Sequence, residues 1–345
     1  MRWFNATLLF ASWSLAVCAA AEEPTPQAAP FQGKIVLFGA MRIPTVSGRV
    51  EILTLDPATS QLDSVLRMEN VGFVTGRVSP DCRRLAFSTL DATDDKSWTA
   101  WIVDGTGERR EIPGAGQVAA WSPDGTSLIC FTVRDRVSDH FLVDVQTGKL
   151  TPLEIPVEDR VDDWAHATNQ LSVTAANHEH TFEHPGKGVY PLRQIDVMKV
   201  DGTQKQRITK QDLLDNIWSR FSPNGEFLAH YQRRHTADKV FEYYVVRKRD
   251  GHQMIEVVRP DKLDEHLREV PTFPSYPYYW TPQGFPCWSP DGSCIAACLS
   301  NSKWARNVVN KVRFGLVFAT LEGKVTKTLE LDKLGVGFVC QIDWR

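Results

Sequence analysis

Short apolar runs alternate with clusters of Gly, Pro, Asp and Asn along the 345-residue chain, which predicts many brief strands joined by tight turns. Four segments turn this rhythm into a repeat: Val78-Ser79-Pro80-Asp81-Cys82, Trp121-Ser122-Pro123-Asp124-Gly125, Phe221-Ser222-Pro223-Asn224-Gly225 and Trp288-Ser289-Pro290-Asp291-Gly292. Seven residues after each leading Val, Trp or Phe stands an aliphatic residue: Leu85, Leu128, Leu228 and Ile295. Trp164 with Leu171 keeps the spacing over a decayed turn, Ala165-His166-Ala167-Thr168. A sixth copy is split: Trp344 leads at the C-terminal end, while Gly33-Lys34-Ile35-Val36 supplies the glycine and aliphatic residues near the other end.

The motif has the chemistry of a hairpin. Proline presets φ at the second turn position, Asp or Asn accepts nearby backbone N–H groups, and glycine takes the left-handed conformation that ends the turn. Cys82 occupies a glycine position and is expected to be slightly strained. A second set of turns agrees with the count of six: Asp56-Pro57-Ala58-Thr59, Asp104-Gly105-Thr106-Gly107, Gln146-Thr147-Gly148, Asp201-Gly202-Thr203, Asp250-Gly251 and Glu322-Gly323. Leading positions are 43, 43, 57, 67 and 56 residues apart. Units of this length predict an all-β, six-bladed β-propeller of four-stranded antiparallel blades. Residues from about Val336 to Trp344 are expected to supply the innermost strand of the blade begun by Ile35 to Phe38, so that N-terminal strands pair with the C-terminal strand and close the ring.

Composition narrows the class further. With 42% hydrophobic and 23% charged residues, and 39 Lys+Arg against 42 Asp+Glu, the chain is globular and neither disordered nor a polytopic membrane protein. A net charge of −3 without a long basic run argues against nucleic acid as a partner. Residues 1–21 combine Arg2, an apolar core from Ala6 to Val17 and the small residues Ala19-Ala20-Ala21, the pattern of a signal peptide cut after Ala21. A lipoprotein signal through Cys18 ranks second, because Val17 stands where that signal usually has Gly or Ala. The expected organisation is a signal peptide over 1–21, a short linker over 22–32 and the propeller over 33–345. The mature chain is expected in the periplasm or secreted, without a transmembrane segment. Beyond the leader stand six cysteines, Cys82, Cys130, Cys287, Cys294, Cys298 and Cys340, whose spacings match no zinc signature. A hairpin at Ser289–Gly292 would set Cys287 opposite Cys294 and permit a disulfide; two buried free thiols is the alternative.

The stretch Ile195-Asp196-Val197-Met198-Lys199-Val200-Asp201-Gly202-Thr203-Gln204-Lys205-Gln206-Arg207-Ile208-Thr209, with Phe221-Ser222-Pro223-Asn224-Gly225 after it, resembles the WD-like repeat of the TolB C-terminal propeller. The same repeat occurs in propellers attached to prolyl-oligopeptidase-type peptidases. Those peptidases require a Gly-x-Ser-x-Gly elbow, absent from this sequence, and only Glu22 to Gln32 stand where TolB has an α/β domain. The resemblance implies an isolated six-bladed TolB-like propeller and says little about function.

Loops joining second to third strands, and fourth strands to the next blade, share one face, and the long spacings put insertions there. One insertion runs from about Ala175 to Pro191 and carries His178, His180, His184 and Tyr190; next along the ring come Arg233, Arg234 and His235. A third, from Pro271 to Pro286, carries Phe273, Tyr276, Tyr278, Tyr279, Trp280 and Phe285. The arginines can clamp a carboxylate or simply pair with local acids. The aromatic rings can stack on a sugar, anchor a peptide, or pack down over the channel. His178, His180 and His184 can bind a divalent transition metal or remain solvated. Asp162-Asp163 can attract a cation or serve a turn. Gly186-Lys187-Gly188 lacks the context of a phosphate loop, and Lys210 to Asn216 is expected to form one helical turn. The leading expectation is a cofactor-free binding or scaffold module whose insertion-rich face recognises an envelope or extracellular protein, a peptide or a glycan. The alternative is a metal-dependent carbohydrate-active enzyme resembling oligogalacturonate lyases, with the histidines holding the metal.

Overall fold

The computed structural model describes residues 29–42, 49–94, 98–104, 106–134, 137–184, 188–209, 214–235, 240–250, 254–258, 281–282, 284–300 and 314–345. Six antiparallel sheets form the blades of a propeller. Blade 1 begins with β1 (Ile35–Arg42), β2 (Arg49–Leu55) and β3 (Leu62–Glu69), and blade 2 comprises β4 (Val71–Val78), β5 (Arg84–Asp91), β6 (Trp98–Asp104) and β7 (Arg109–Ile112). Blade 3 contains β8 (Gln117–Trp121), β9 (Ser127–Arg134), β10 (Val137–Asp144) and β11 (Leu150–Leu153). Blade 4 contains β12 (Arg160–Trp164), β13 (Gln170–His184), β14 (Gly188–Lys199) and β15 (Gln206–Arg207). Blade 5 contains β16 (Leu214–Phe221), β17 (Phe227–His235), β18 (Val240–Lys248) and β19 (Met254–Val258). In blade 6, β20 (Thr281–Pro282) and β21 (Cys287–Trp288) together line β22 (Cys294–Ser300), followed by β23 (Phe314–Thr320) and β24 (Val325–Glu330). The chain then returns to blade 1 through β25 (Val336–Phe338) and β26 (Gln341–Trp344).

Closure follows the expected scheme. Strand β26 pairs with β1 in the register Ile35↔Trp344, Val36↔Asp343, Leu37↔Ile342 and Phe38↔Gln341. The Trp344 indole N–H donates to the Gly33 carbonyl at 3.2 Å, which ties the two ends a second time. Blade 1 therefore owes three strands to one end of the chain and its inner strand to the other.

Apolar clusters sit between neighbouring blades rather than at a single centre. Leu53 and Leu37 of blade 1 pack with Ala296 and Phe318 of blade 6, and Val36 and Ile52 pack with Leu85 and Phe87 of blade 2. Further clusters join blades 2 and 3, 3 and 4, 4 and 5, and 5 and 6. Each sheet is thus buried on both faces, which explains continuous apolar runs such as Ile35–Phe38. A fully buried side chain such as Leu85 contributes about 1.5–3 kcal/mol.

The repeat spacing has a direct structural meaning. Five leading residues pair with the aliphatic residue seven positions later, Val78↔Leu85, Trp121↔Leu128, Trp164↔Leu171, Phe221↔Leu228 and Trp288↔Ile295, and the sixth, Trp344, pairs with Ile35. In the turn of blade 6, Ser289 Oγ donates to Asp291 Oδ1 at 2.6 Å, and Gly292 donates its N–H to the Ser289 carbonyl at 2.8 Å with φ 71°. Cys82 adopts φ 56° in the equivalent place, the strained exception expected of a side chain in the left-handed region.

Four expectations are corrected. Cys287 lies opposite Ala296, not Cys294, because the turn closes on Ser289 and Cys294 and shifts the pairing by two positions; all six described cysteines are free. The insertion from Ala175 is not a loop: β13 and β14 continue through it as one long hairpin, with residues 185–187 outside the described residues. Tyr231 to His235 likewise lies within β17, and Leu214 to Asn216 belongs to β16 rather than to a helical turn, residues 210–213 being outside the described set.

Candidate functional site

The residue immediately before each leading position gives the series Arg77, Ala120, Asp163, Arg220, Cys287, Asp343 around the ring. Four of these six are charged, and the structure gathers them at the central channel. Arg77 and Arg220 are each only 3% exposed. Arg77 Nη2 donates to the Asp162 carbonyl at 3.4 Å, and Arg220 Nη1 donates to the same oxygen. Arg220 Nη1 also stands 3.6 Å from Asp163 Oδ1. Among the described residues, no carboxylate comes within ion-pair distance of Arg77. Burial lowers its pKa to about 10, against the pull of Asp343, Asp163 and Asp162, so it remains charged at neutral pH.

The carboxylates act as struts between blades. Asp343 Oδ2 accepts the Val78 N–H at 2.8 Å, and Asp163 Oδ2 accepts the Phe221 N–H at 2.9 Å; each acceptor precedes one leading tryptophan and grips the leading residue of another blade. Fully buried Asp162 accepts from the Ser219 N–H at 3.0 Å, from Ser219 Oγ at 3.1 Å and from Thr174 Oγ1 at 2.5 Å, while Arg160 Nη2 approaches its other oxygen at 3.3 Å. Desolvation raises the Asp163 pKa to about 6. Indole groups add further struts: Trp121 Nε1 donates to the Arg77 carbonyl and Trp288 Nε1 to the Arg220 carbonyl, both at 3.1 Å.

Above the two arginines lies Phe285. Its ring centroid is 4.0 Å from the Arg220 guanidinium carbon, 4.7 Å from that of Arg77 and 5.8 Å from that of Arg160, close enough for cation–π attraction. Trp218, held at φ 59° where β16 shifts register against β17, stands 6.0 Å from Phe285 and stacks on Tyr231 at 5.1 Å. A cavity of about 300 Å³ opens above this group, lined among others by Phe73, Trp98, Arg160, Trp218, Phe285 and Gln341. Phe73, Arg160 and Gln341 lie at or near the starts of inner strands and Trp98 at the start of a third strand, so the cavity opens on the face carrying the insertions. Below, toward the Ser-Pro-Asp-Gly turns, a second cavity of about 200 Å³ meets Arg220, Asp163, Asp343, Trp288 and Arg345.

The residues singled out in the sequence are distributed unevenly. Phe285 is the member of the aromatic segment that the described structure contains, and it packs into the channel. Tyr276, Tyr278, Tyr279 and Trp280 lie outside the described residues. Arg233 is half-buried and committed to local acids, 3.3 Å from Glu242 and 3.5 Å from Asp215, while Arg234 is exposed. His178 is exposed and 2.5 Å from Glu158, His180 is half-buried, and His184 ends β13. Among the described residues, no group of three His, Cys, Asp or Glu side chains is placed to hold a metal ion. Sequence reasoning missed Arg77, Arg220 and Asp343. The signal for them was the position before each leading residue, where a polar side chain interrupts an otherwise apolar strand.

No protein-family model matches the chain, and no curated protein matches it. Solved structures do. The crystal structure of TolB from Acinetobacter baumannii superimposes with a TM-score of 0.62 at 15% identity, covering 91% of this chain and 67% of that one. A chain of the nidogen/laminin complex gives a TM-score of 0.55 at 12% identity, covering 90% and 98%. The tricorn protease gives 0.52 at 14% identity, covering 84% of this chain but 26% of that one. At such identities the similarity concerns the fold alone. Taken with the six blades and the strand exchange that closes them, the fold is that of a TolB-like six-bladed β-propeller.

Proposed function

We propose that the chain is an exported binding module that recognises a protein, peptide or glycan through the insertion-rich face, acting as a rigid presenter of side chains. The cavity of about 300 Å³ at the channel mouth carries this reading, because it combines aromatic walls with the charged Arg77 and Arg160 in one concave place. Phe73 and Trp98 meet edge to face at 6.2 Å on its wall, and Phe73 is 36% exposed, an arrangement suited to anchoring a partner. Export rests on the leader-like pattern of residues 1–21, which lie outside the described residues; among the described residues no helix is long and apolar enough to cross a membrane.

Partner capture from the native envelope fraction tests the reading when wild type and Trp98→Ala are compared at matched concentrations. The substitution is expected to weaken the captured complex by about 2 kcal/mol, the cost of removing an aromatic anchor. Unchanged affinity would move the site away from this mouth. The mass of the mature chain tests export separately: cleavage after Ala21 is expected, and an intact N-terminus in the exported fraction would count against it.

A further inference from the structure

The charged channel has a one-sided imbalance. Arg77 Nε, Arg220 Nε and Arg220 Nη2 are buried N–H donors without a hydrogen-bond partner; Arg345 Nε below them also makes no hydrogen bond but stands 4.0 Å from Asp343 Oδ2. No oxygen of Asp162, Asp163 or Asp343 is among the buried atoms left unpaired. Unmet hydrogen-bonding capacity at this level is therefore donor capacity, which calls for an acceptor.

Its geometry is specific. Nε and Nη2 of a guanidinium form one side-on edge, two parallel N–H groups matched to the two oxygens of a carboxylate. The Nη1 group of Arg220 is already committed to the Asp162 carbonyl and to Asp163, so this edge is what Arg220 has left. Arg77 reaches the same carbonyl from another blade, which sets two buried positive groups side by side with Asp163 at ion-pair distance from Arg220 alone; a further anion at their free edges offsets the remaining repulsion.

We propose that the free Nε–Nη2 edge of Arg220, together with Nε of Arg77, seats the carboxylate of an acidic peptide, either a Glu or Asp side chain or the end of a chain. Phe285 covers the two guanidinium groups on the side of the upper cavity, which Arg77 lines. Arg220 lines the lower cavity with Phe221 and Trp288 on one wall and Asp163 and Asp343 on another, so the stalk that brings the carboxylate in is slim and runs along the apolar wall. The flanking cavities, about 300 and 200 Å³, hold one or two side chains each and not a folded module. The assignment deepens the binding-module reading by stating what chemistry the partner must present, and it rests on that reading only for the partner being a peptide.

Titration of the ¹⁵N-labelled protein tests the seat directly through the arginine Nε–Hε signals, assigned from the spectra of Arg77→Lys and Arg220→Lys. The probes are N-acetyl-glutamate N-methylamide, its glutamine counterpart, glucuronate and inorganic phosphate. The expected result is movement of the Arg77 and Arg220 signals by the glutamate probe, with a Kd at least about tenfold below that of the glutamine probe. Arg220→Lys keeps a charge but removes the two-donor edge, and is expected to raise the Kd for glutamate by about tenfold or more. If that variant does not fold, Arg77→Lys gives the second reading, with a smaller loss. Stationary Nε signals at the highest soluble probe concentration, or equal shifts with glutamine, would overturn the seat. Tighter binding of glucuronate or phosphate would overturn the peptide assignment. Because the small probes need no partner, failure here is distinguishable from failure of the envelope capture.

Discussion

Blades 3 and 4 share one spacing and one inner-strand geometry, yet they are fastened to their neighbours by different chemistry. In blade 3 the turn is intact: Ser122 Oγ donates to Asp124 Oδ1 at 2.6 Å and accepts the Ser127 N–H at 2.8 Å. The turn closes on its own side chains, and the Trp121 indole is left to reach blade 2. In blade 4 the serine and aspartate of the motif are absent, Asn169 makes the turn at φ 52°, and the Trp164 indole is spent within its own blade on Asn169 Oδ1 at 2.8 Å. Blade 4 is fastened instead to the blade that follows it, through Asp162 and Asp163. Blade 3 is thus tied back to blade 2 by a neutral indole, and blade 4 forward to blade 5 by buried carboxylates. Only the second puts carboxylates into the channel, where the Asp162 carbonyl holds both Arg77 and Arg220 and the Asp163 carboxylate stands beside Arg220.

Removing residues 336–345 should break both kinds of blade at once. The deletion exposes partners of Val336, Val339 and Ile342, each worth about 1.5–3 kcal/mol when fully buried, and leaves blade 1 without its inner strand. Thermal unfolding is expected to fall steeply and lose its single transition; an unchanged melting curve would mean that closure does not support the ring. Asp162→Leu attacks the carboxylate fastening alone. It strands the Ser219, Thr174 and Arg160 donors and is expected to cost about 3–5 kcal/mol in denaturant unfolding.

The indoles give a finer test. Trp121→Phe removes a buried inter-blade bond and should cost about 1 kcal/mol or somewhat more, whereas Trp164→Phe should cost less, because exposed Asn169 turns to water. Equal losses would erase the distinction drawn between the two blades.

Acid should also separate them. Burial lowers the His166 pKa in the decayed turn to about 4, well below its ordinary 6.5. The unfolded chain therefore takes up the proton first, so this contribution to stability is full above about pH 6.5 and is lost as the pH falls toward 4. The Asp124 pKa in the intact turn is lowered, chiefly by the Ser122 hydroxyl, so its contribution is lost only below the usual carboxylate range. Asp163 runs the other way, with a raised pKa near 6, and recovers some stability on acidification through that range. Burial also lowers the pKa of His140 in blade 3 to about 4, so each blade loses the contribution of a neutral histidine on acidification while Asp163 offsets part of the loss in blade 4. Amide protection factors corrected for intrinsic exchange are therefore expected to fall more in blade 3 than in blade 4 between about pH 7.5 and 5. His140→Asn should reduce the difference. The smallest effect concerns the turns themselves: Cys82→Gly relieves φ 56° and should gain about 0.5–1 kcal/mol, the left-handed penalty less the added freedom of the unfolded chain.

By itself the order of residues determined the ring: six units, the +7 pairing, the strained Cys82 and the exchange of Trp344 onto Ile35 are all consequences of local turn chemistry and of a period that counts strands. Tertiary structure alone decided the channel. Arg77, Asp163, Arg220 and Asp343 are separated by up to 266 positions and belong to four blades, so their meeting depends on the angle at which the sheets pack around the axis. It also decided that the segment after Ala175 is strand, since two long runs zip together only when both are present, and that Arg233 is tied down by Asp215 on one neighbouring strand and Glu242 on the other. Turns and periods are written in neighbouring residues, whereas the partners of a buried charge come from wherever the ring brings them.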